Sequence, residues 1–269
     1  MVVFAGQGDA RRSMSLLWRA PGAEEARPGP KQGLTVDAIV AAAIEVADEH
    51  GMAGLSMRAV GERFGRTGMA LYTYVPSKSE LVDLMYDAVI AEAHHGYDLG
   101  GGWRTALVAW AEDLWEFYLR HPWVLQVSQA RPVLGPNEYV VLETVLRIMF
   151  ETGLPTVEVR RLTGALFQLV RAMAQVVAEA RAAARVTGTS DEDWWVDRSA
   201  LLTEMAPDFA ARFPMVAKLA EAGAYEMTDE TVPYQERAAV EAFHAGLVAL
   251  LDGIEARLGG AMGCDTQDS

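Results

Sequence analysis

The sequence predicts an all-α protein, with a small N-terminal three-helix unit followed by a larger helical bundle. Three observations carry the prediction. From Leu34 onward apolar residues recur at helical spacing, Gly and Pro punctuate those periods, and no run of alternating β-branched residues is long enough for a sheet. The first helix is expected from about Thr35, a good N-cap, to His50, with Val36, Ile39, Val40, Ala43, Ile44 and Ala47 on one stripe and Gly51 as its stop. Ser56 caps a short second helix whose Leu55, Ala59, Val60 and Phe64 face inward, and Gly65 ends it. A third short helix begins near Thr67 and closes at Val75-Pro76. Ser77 or Ser79 starts a fourth, with Leu81, Leu84, Met85, Ala88 and Val89 on one face.

Longer periods follow. Trp103 to His121 reads as a helix broken before Pro122, Pro136 to Thr152 as another, and Pro155 to about Arg185 as the longest. Ser190-Asp191-Glu192 caps a helix carrying Trp194 and Trp195, Pro207 to Ala224 is a broken helical region, and Thr231 caps a last helix ending near Leu258. Residues 1–33 mix Gly, Pro, Arg and Glu without period and read as a flexible arm, within which Met14 is an alternative start. The domain reading is therefore an arm at 1–33, a three-helix domain at 34–95, a helical domain at 96–260 and a flexible tail at 261–269.

Composition narrows the function. The 269 residues are 51% apolar, enough to bury real cores and incompatible with a disordered chain. The net charge of −14 excludes a surface that attracts nucleic acid everywhere, so contact with DNA requires a local patch. The single Cys264 excludes an internal disulfide framework and a Cys-rich zinc module. No segment reaches about 18 uninterrupted apolar residues, and the charge order at the N-terminus is the reverse of a secretory signal, so a soluble, cytoplasmic protein without membrane contact is expected.

The required patch is present. Between Gly51 and Glu80 stand Arg58, Arg63, Arg66 and Lys78 against Glu62 and Glu80. Two short helices joined across Phe64-Gly65-Arg66-Thr67 have the outline of a helix-turn-helix, whose second member enters the major groove. Thr67, Gly68 and Ala70 are small enough for close approach of that helix to bases or phosphates, Met69 and Thr73 suit thymine methyls or base edges, and Tyr72 and Tyr74 carry hydroxyls for phosphates. Tyr72 also fits a core aromatic beside Leu71, and Arg63 a solvated charge.

Residues 34–85 resemble the DNA-binding domain of the TetR family of bacterial transcriptional regulators. The resemblance is carried in register by Leu34-Thr35-Val36-Asp37, by Gly51-Met52-Ala53-Gly54-Leu55-Ser56-Met57-Arg58, and by Leu71-Tyr72-Thr73-Tyr74-Val75-Pro76-Ser77-Lys78-Ser79-Glu80-Leu81. It implies phosphate contacts from Ser56, Arg58, Tyr72, Tyr74 and Lys78, and base-proximal positions at Thr67, Gly68, Met69 and Thr73. Arg66 departs from the small apolar residue usual in that turn, and its side chain is expected to point outward as an added DNA contact. The partners implied are double-stranded operator DNA, a second copy of the chain and a small-molecule effector. The expected action is that of a repressor released from a pseudo-palindromic operator.

The second part resembles the tetracycline-repressor-like C-terminal domain in its Trp103 to Leu107 segment and in His121-Pro122-Trp123. It holds six of the seven tryptophans, and apolar and aromatic side chains with a few polar groups among them are what a bundle pocket needs. Candidate effector residues are Trp110, Leu114, Phe117 and Tyr118, then Met149 and Phe150, then Phe167, Gln168, Arg171 and Gln175, taken as a cluster because each aromatic alone also fits a core stripe. The dimer interface is expected on the long and final helices, at Leu162, Leu166, Leu169, Phe243, Gly246, Leu247 and Leu250, whose apolar surface exceeds the need of one core-facing stripe. His94 and His95 diverge on a helix and His121 and His244 lie far apart, so no metal or cofactor is expected. No phosphate loop, nucleophile elbow or zinc-protease motif is present, and an enzyme or a binding protein without DNA contact is the alternative reading.

Overall fold

A computed structural model describes residues 3–19, 34–226 and 232–262, without the side chains of 259–262. The regular elements among the described residues are helices, apart from two strands of two residues each. The described residues within 1–171 and 247–262 form one compact unit, and those within 172–246 a second.

In the first unit, α2 (Val36–Gly54) starts where Thr35 Oγ1 accepts the Ala38 N–H at 3.1 Å, and the chain turns at Gly51, whose φ of +66° is left-handed. Ile39, Val40, Ala43, Val46 and Ala47 are its buried stripe. Then come α3 (Met57–Arg63), α4 (Gly68–Leu71) and α5 (Lys78–Ile90), α5 opening on Ser77 Oγ, which accepts from the Ser79 and Glu80 amides. Leu55, Val60, Leu71, Val75, Leu81 and Met85 are buried among these helices. The body continues as α6 (Trp103–Arg120), a 3₁₀ turn at Pro122–Gln126, α7 (Pro136–Phe150) and the start of α8 (Thr156–Thr187), and closes with the end of α12 (Tyr234–Met262). Arg104 Nη2 bonds Asp252 at 2.6 Å, and Arg257 pairs with Glu158.

The flexible-arm reading of residues 1–33 is overturned for residues 3–19. They form β1 (Val3–Phe4) and α1 (Ala10–Leu17), and β1 lies parallel to β2 (Val127–Ser128), with Val3 opposite Val127. The order comes from partners 70 to 130 residues away in sequence, which local composition cannot show. Met14 lies inside α1, so a chain begun there lacks β1 and the first turn of that helix. Residues 20–33 and 263–269, and Thr231 as the expected cap of the last helix, lie outside the described residues.

The second unit contains α9 (Asp191–Met205), α10 (Phe209–Arg212) and α11 (Pro214–Glu221). Ser190 Oγ caps α9 through the Asp193 N–H at 3.0 Å, as its sequence suggests. Trp194 meets Trp195 edge-on at 4.9 Å, and Trp195 meets Tyr234 at 5.7 Å. None of the residues of α9, α10 and α11 is buried.

Candidate nucleic-acid interface and effector core

Ser56 Oγ accepts from the Ala59 N–H at 3.1 Å and so caps α3, which uses the hydroxyl that the sequence also suggested for a phosphate. The turn after α3 folds back on Gly61, whose carbonyl accepts from Phe64 at 3.0 Å and from Arg66 at 2.9 Å, while Gly65 takes φ +62°. Two glycines then let α3 and α4 touch. A Cβ on Gly61 would lie 2.8 Å from the Arg66 carbonyl oxygen, and one on Gly68 would lie 3.0 Å from Arg58 N and Met57 O. The small size of Gly68 therefore serves helix packing, and its missing side chain faces α3. Gly61 was not singled out from the sequence, because a glycine inside a short helix looks like a weak position until its neighbour is known.

That packing decides which face of α4 is free. Leu71 is buried, and Met69 points outward, 74% exposed, beside exposed Arg66, Thr67 and Thr73. Tyr72 is 40% exposed, which removes the core alternative for it, whereas Tyr74 is half-buried. The helix is shorter than expected and ends at Leu71, its carbonyl accepting from Tyr74 and Val75 at 2.9 Å each. The buried leucine thus leaves a methionine and a tyrosine presented to water on the same side as Arg66 and Thr73.

The four cations divide. Arg63 pairs with Glu49 and, mainly through that bond, holds the Glu49 carboxyl below the usual range. Arg58 is exposed at 3.7 Å from Glu62. Lys78 donates from Nζ to the Leu55 carbonyl at 2.6 Å and joins the start of α5 to the α2–α3 connection. The Arg66 side chain has no ion pair among the described residues and projects outward, as the sequence led one to expect.

Two polar joints connect these helices to the rest of the unit. His121 is buried with Nδ1 2.8 Å from Asp48 Oδ1 on α2 and Nε2 3.1 Å from Glu92 Oε2 just past α5, and Trp123 Nε1 donates to the same Asp48 oxygen at 2.8 Å. Asp87 on α5 accepts the Asn137 and Glu138 amides at 3.0 Å each and the Asn137 side chain at 3.1 Å, so it caps α7. Burial pushes the Asp87 carboxyl up despite those donors.

Of the effector candidates, Trp110, Leu114, Phe117, Tyr118 and Met149 are buried. Phe167 is half-buried and meets Trp110 edge-on at 5.0 Å. Phe150 is 52% exposed and does not join them, because it is the last residue of α7 and is turned about 100° around the helix from buried Met149. The polar trio does not act as one row. Gln168 bonds Gln129 at 2.9 Å, Gln175 bonds Glu179 at 2.8 Å, and Arg171 gives its guanidinium to the carbonyls of Leu125 and Val127 at 2.6 and 2.8 Å while lying 5.9 Å from the Tyr118 ring centre. Burial raises the Tyr118 and Tyr86 phenols, opposed by Arg171 and Gln129. Tyr86, Gln129 and Glu138 were missed from sequence, since they come from three segments that only the fold assembles. A cleft of about 340 Å³ at α1, α2, α5 and α7 is lined by none of the candidates.

The expected dimer residues also divide. Leu166, Phe243 and Leu247 are buried in the single chain and belong to its own core, whereas Leu162, Leu169, Gly246 and Leu250 are half-buried. Gly164 and Gly253 have open space where a Cβ would stand, and Val248 is 50% exposed. Among the described residues no group of three or more His, Cys, Asp or Glu is placed to hold a metal ion, and no helix is long and apolar enough to cross a membrane.

A three-helix unit whose third helix faces outward, followed by further helices, has the outline of a helix-turn-helix protein. Residues 39–85 match the family model for bacterial regulatory proteins of the tetR family, and residues 98–258 the model for the tetracyclin repressor-like C-terminal domain, so the chain belongs to the TetR family. It is 38% identical over 258 residues to the HTH-type transcriptional repressor DrrR1 of Streptomyces coeruleorubidus, covering 93% of this chain and 87% of that protein. It is 35% identical over 148 residues to an HTH-type transcriptional regulator of Saccharopolyspora erythraea, covering 54% of this chain and 63% of the relative. The fold resembles that of the Streptomyces coelicolor TetR family protein ActR in complex with actinorhodin, with a TM-score of 0.66 and 25% identity over 85% of this chain and all of ActR. The family is one of transcriptional regulators.

Proposed function

We propose that the protein is a homodimeric repressor in the cytoplasm that acts by binding alone, holds a pseudo-palindromic operator and leaves it when a small hydrophobic or aromatic effector binds. Residues 34–95 read DNA and 96–260 take the effector and pair the subunits. The observation that carries the reading is the exposed surface at α4 and its flanks, where Arg66, Thr67, Met69, Tyr72 and Thr73 stand clear beside the closely packed α3–α4 pair. In a groove, Arg66 reaches guanine edges or phosphate, Met69 and Thr73 meet thymine methyls, and Tyr72, Arg58 and the remaining donors of Lys78 hold phosphates. The ligand-bound ActR supports an effector, for which Trp110, Phe167 and Tyr118 offer aromatic surface and Gln168 a polar group, while Arg171 holds the 122–128 turn behind them. Pairing uses the outward faces of α8 and α12, with Gly164, Ala165, Val248, Ala249 and Gly253 permitting close approach and Leu162 and Leu250 at the edges.

The test is a mobility-shift titration on DNA flanking the protein's own gene at two salt concentrations, repeated with Arg66→Ala and Met69→Ala. Specific retention that falls with salt and is weakened by both substitutions is expected, each base-proximal loss costing about 1–3 kcal/mol. Binding that is absent, or indifferent to both substitutions, refutes the reading and favours a helical small-molecule-binding protein.

A further inference from the structure

We infer that residues 3–19 are a strap that fixes the angle at which the helix-turn-helix is held, and so belong to the DNA-binding function although they touch no recognition residue. The inference goes beyond the proposed function and, for its DNA arm, rests on it.

The strap is attached at both ends to different parts of the same unit. On the bundle side, Val3 and Phe4 pair with Val127 and Ser128, and the Val127 carbonyl is held by Arg171 of α8 at 2.8 Å. At its other end, Trp18 Nε1 donates to the Leu134 carbonyl at 2.9 Å, and its ring lies 6.1 Å from that of Tyr139 on α7. Leu134 has φ +61°, a conformation a leucine adopts at a cost, and the indole holds its carbonyl there. On the DNA-binding side, the strap runs over the first turns of α5. The Gly6 N–H donates to Asp83 Oδ1 at 2.9 Å and the Asp9 N–H to Glu80 Oε1 at 3.2 Å, with both carboxylates buried. Arg19 then reaches Asp37 in the first turn of α2 at 2.9 Å.

Its sequence fits this path. Gly6 takes φ +66°, and a Cβ on Gly8 would lie 2.2 Å from Glu80 Oε1, the carboxylate that also binds Ser77. Asp9 caps α1 through the Arg12 N–H at 2.9 Å, and Leu17 is buried. Without the strap, Glu80 and Asp83 would regain water and α5 would lose a fixed line between β2 and the helix-turn-helix. A repressor needs two such heads at one spacing, and a head that samples many angles is competent for a smaller fraction of the time.

The experiment places spin labels at Ala53→Cys on α2 and Glu143→Cys on α7, both exposed, in a Cys264→Ser background, with unlabelled chain added to suppress distances between subunits. The label-to-label distance distribution is compared in the full chain, in Gly6→Val, in a chain begun at Met14, and in Arg11→Ala, whose exposed side chain leaves the strap backbone in place. Gly6→Val and the shortened chain should broaden the distribution and weaken binding to the DNA flanking the gene about tenfold, the factor produced when the competent population falls to one tenth. Arg11→Ala should change neither. Circular dichroism identifies any variant that fails to fold, and either strap variant alone decides the question. An unchanged distribution overturns the strap, as does a broadened one with unchanged DNA affinity. Should the full chain bind no DNA, the proposed function fails while the distances still decide whether the strap orients the head.

Discussion

Replacing Gly61 by Ala sets two local effects against each other. Position 61 lies inside α3, and glycine there costs about 1 kcal/mol relative to alanine in a helix, so propensity alone would make Gly61→Ala stabilising. The new methyl would stand 2.8 Å from the Arg66 carbonyl oxygen and 3.0 Å from Gly68 N and Thr67 C. These are backbone atoms of the turn and of α4, so relief requires α4 to move away by about 0.5 Å to restore ordinary contact. Overpacking of this kind costs about 1–3 kcal/mol, and the net expectation is a loss of up to about 2 kcal/mol confined to α3 and α4. Hydrogen exchange of the α3 and α4 amides reads this locally, where 1 kcal/mol is roughly a fivefold loss of protection. Operator affinity should fall with the displacement of α4, while its salt dependence stays constant because no charge has changed. Increased protection with unchanged affinity would show that propensity wins and that the glycine contact is not tight. Gly68→Leu, which meets Met57 and Arg58 backbone at 3.0 Å, should disrupt the α3–α4 packing as well as DNA binding.

Lys78→Met should lower the salt slope of DNA binding by about one unit and also loosen the Leu55 connection, seen as faster exchange at the start of α3; an unchanged slope removes Lys78 from the phosphate contacts. Burial raises the Asp83 carboxyl above its ordinary value, so the folded state holds a proton more tightly than the unfolded one. Stability from this group is present below the ordinary carboxylate range near 3.9 and is lost as pH rises through the raised value. Asp83→Asn keeps an oxygen for the Gly6 N–H and should be more stable than the parent at neutral pH, with the advantage vanishing in acid; an advantage independent of pH would refute this. Val248→Glu should yield a folded monomer by light scattering, whereas Leu247→Glu, which buries a charge in the chain's own core, should unfold; dimeric Val248→Glu would exclude the outward face of α12.

The helices were legible where their signals are local. Thr35, Ser56 and Ser190 cap as their sequence suggests, and the apolar stripe of α2 points inward because period and burial coincide, whereas α5 is buried continuously from Glu80 to Asp87 and its expected inward Ala88 is exposed, because other elements cover it on several sides. The face of α4 was legible only in part: Met69 and Thr73 are exposed as expected, whereas Gly68 turns to α3, a contact that only the packing of two helices reveals. The order in residues 3–19 was not legible, because it depends on Asp83, Glu80, Val127 and Leu134, distant partners for a segment with little apolar surface of its own. Arg171 was read as a polar group offered to a ligand, and the fold spends its donors on three carbonyls of the 122–128 turn. The apolar stripe of α12 was read as surplus for a partner, yet Phe243, Leu247, Leu251 and Ile254 are all buried within the chain. Periodicity identifies an apolar face without saying which molecule covers it.

The joints around the helix-turn-helix are polar to a degree that its interior is not. Within it, Ile39, Val60 and Leu71 are removed from water entirely, and opening that core would forfeit burial worth about 1.5–3 kcal/mol for each side chain. At its borders stand Asp48 with His121 and Trp123, Asp87 with Asn137, and Asp83 with Gly6. Water can replace such hydrogen bonds, so exchanging one for solvent costs about 0.5–1.5 kcal/mol, or somewhat more where a charge is involved. A regulator needs a head that moves as one piece, with joints that hold an angle and can be reset. Coupling between effector and DNA of about 1–3 kcal/mol is enough to exchange one or two bonds of this kind, and far too small to repack the head itself. The division of labour follows from chemistry: apolar contacts make the reading head rigid, and directional polar contacts to α5, α6 and α7 set the angle at which it is presented.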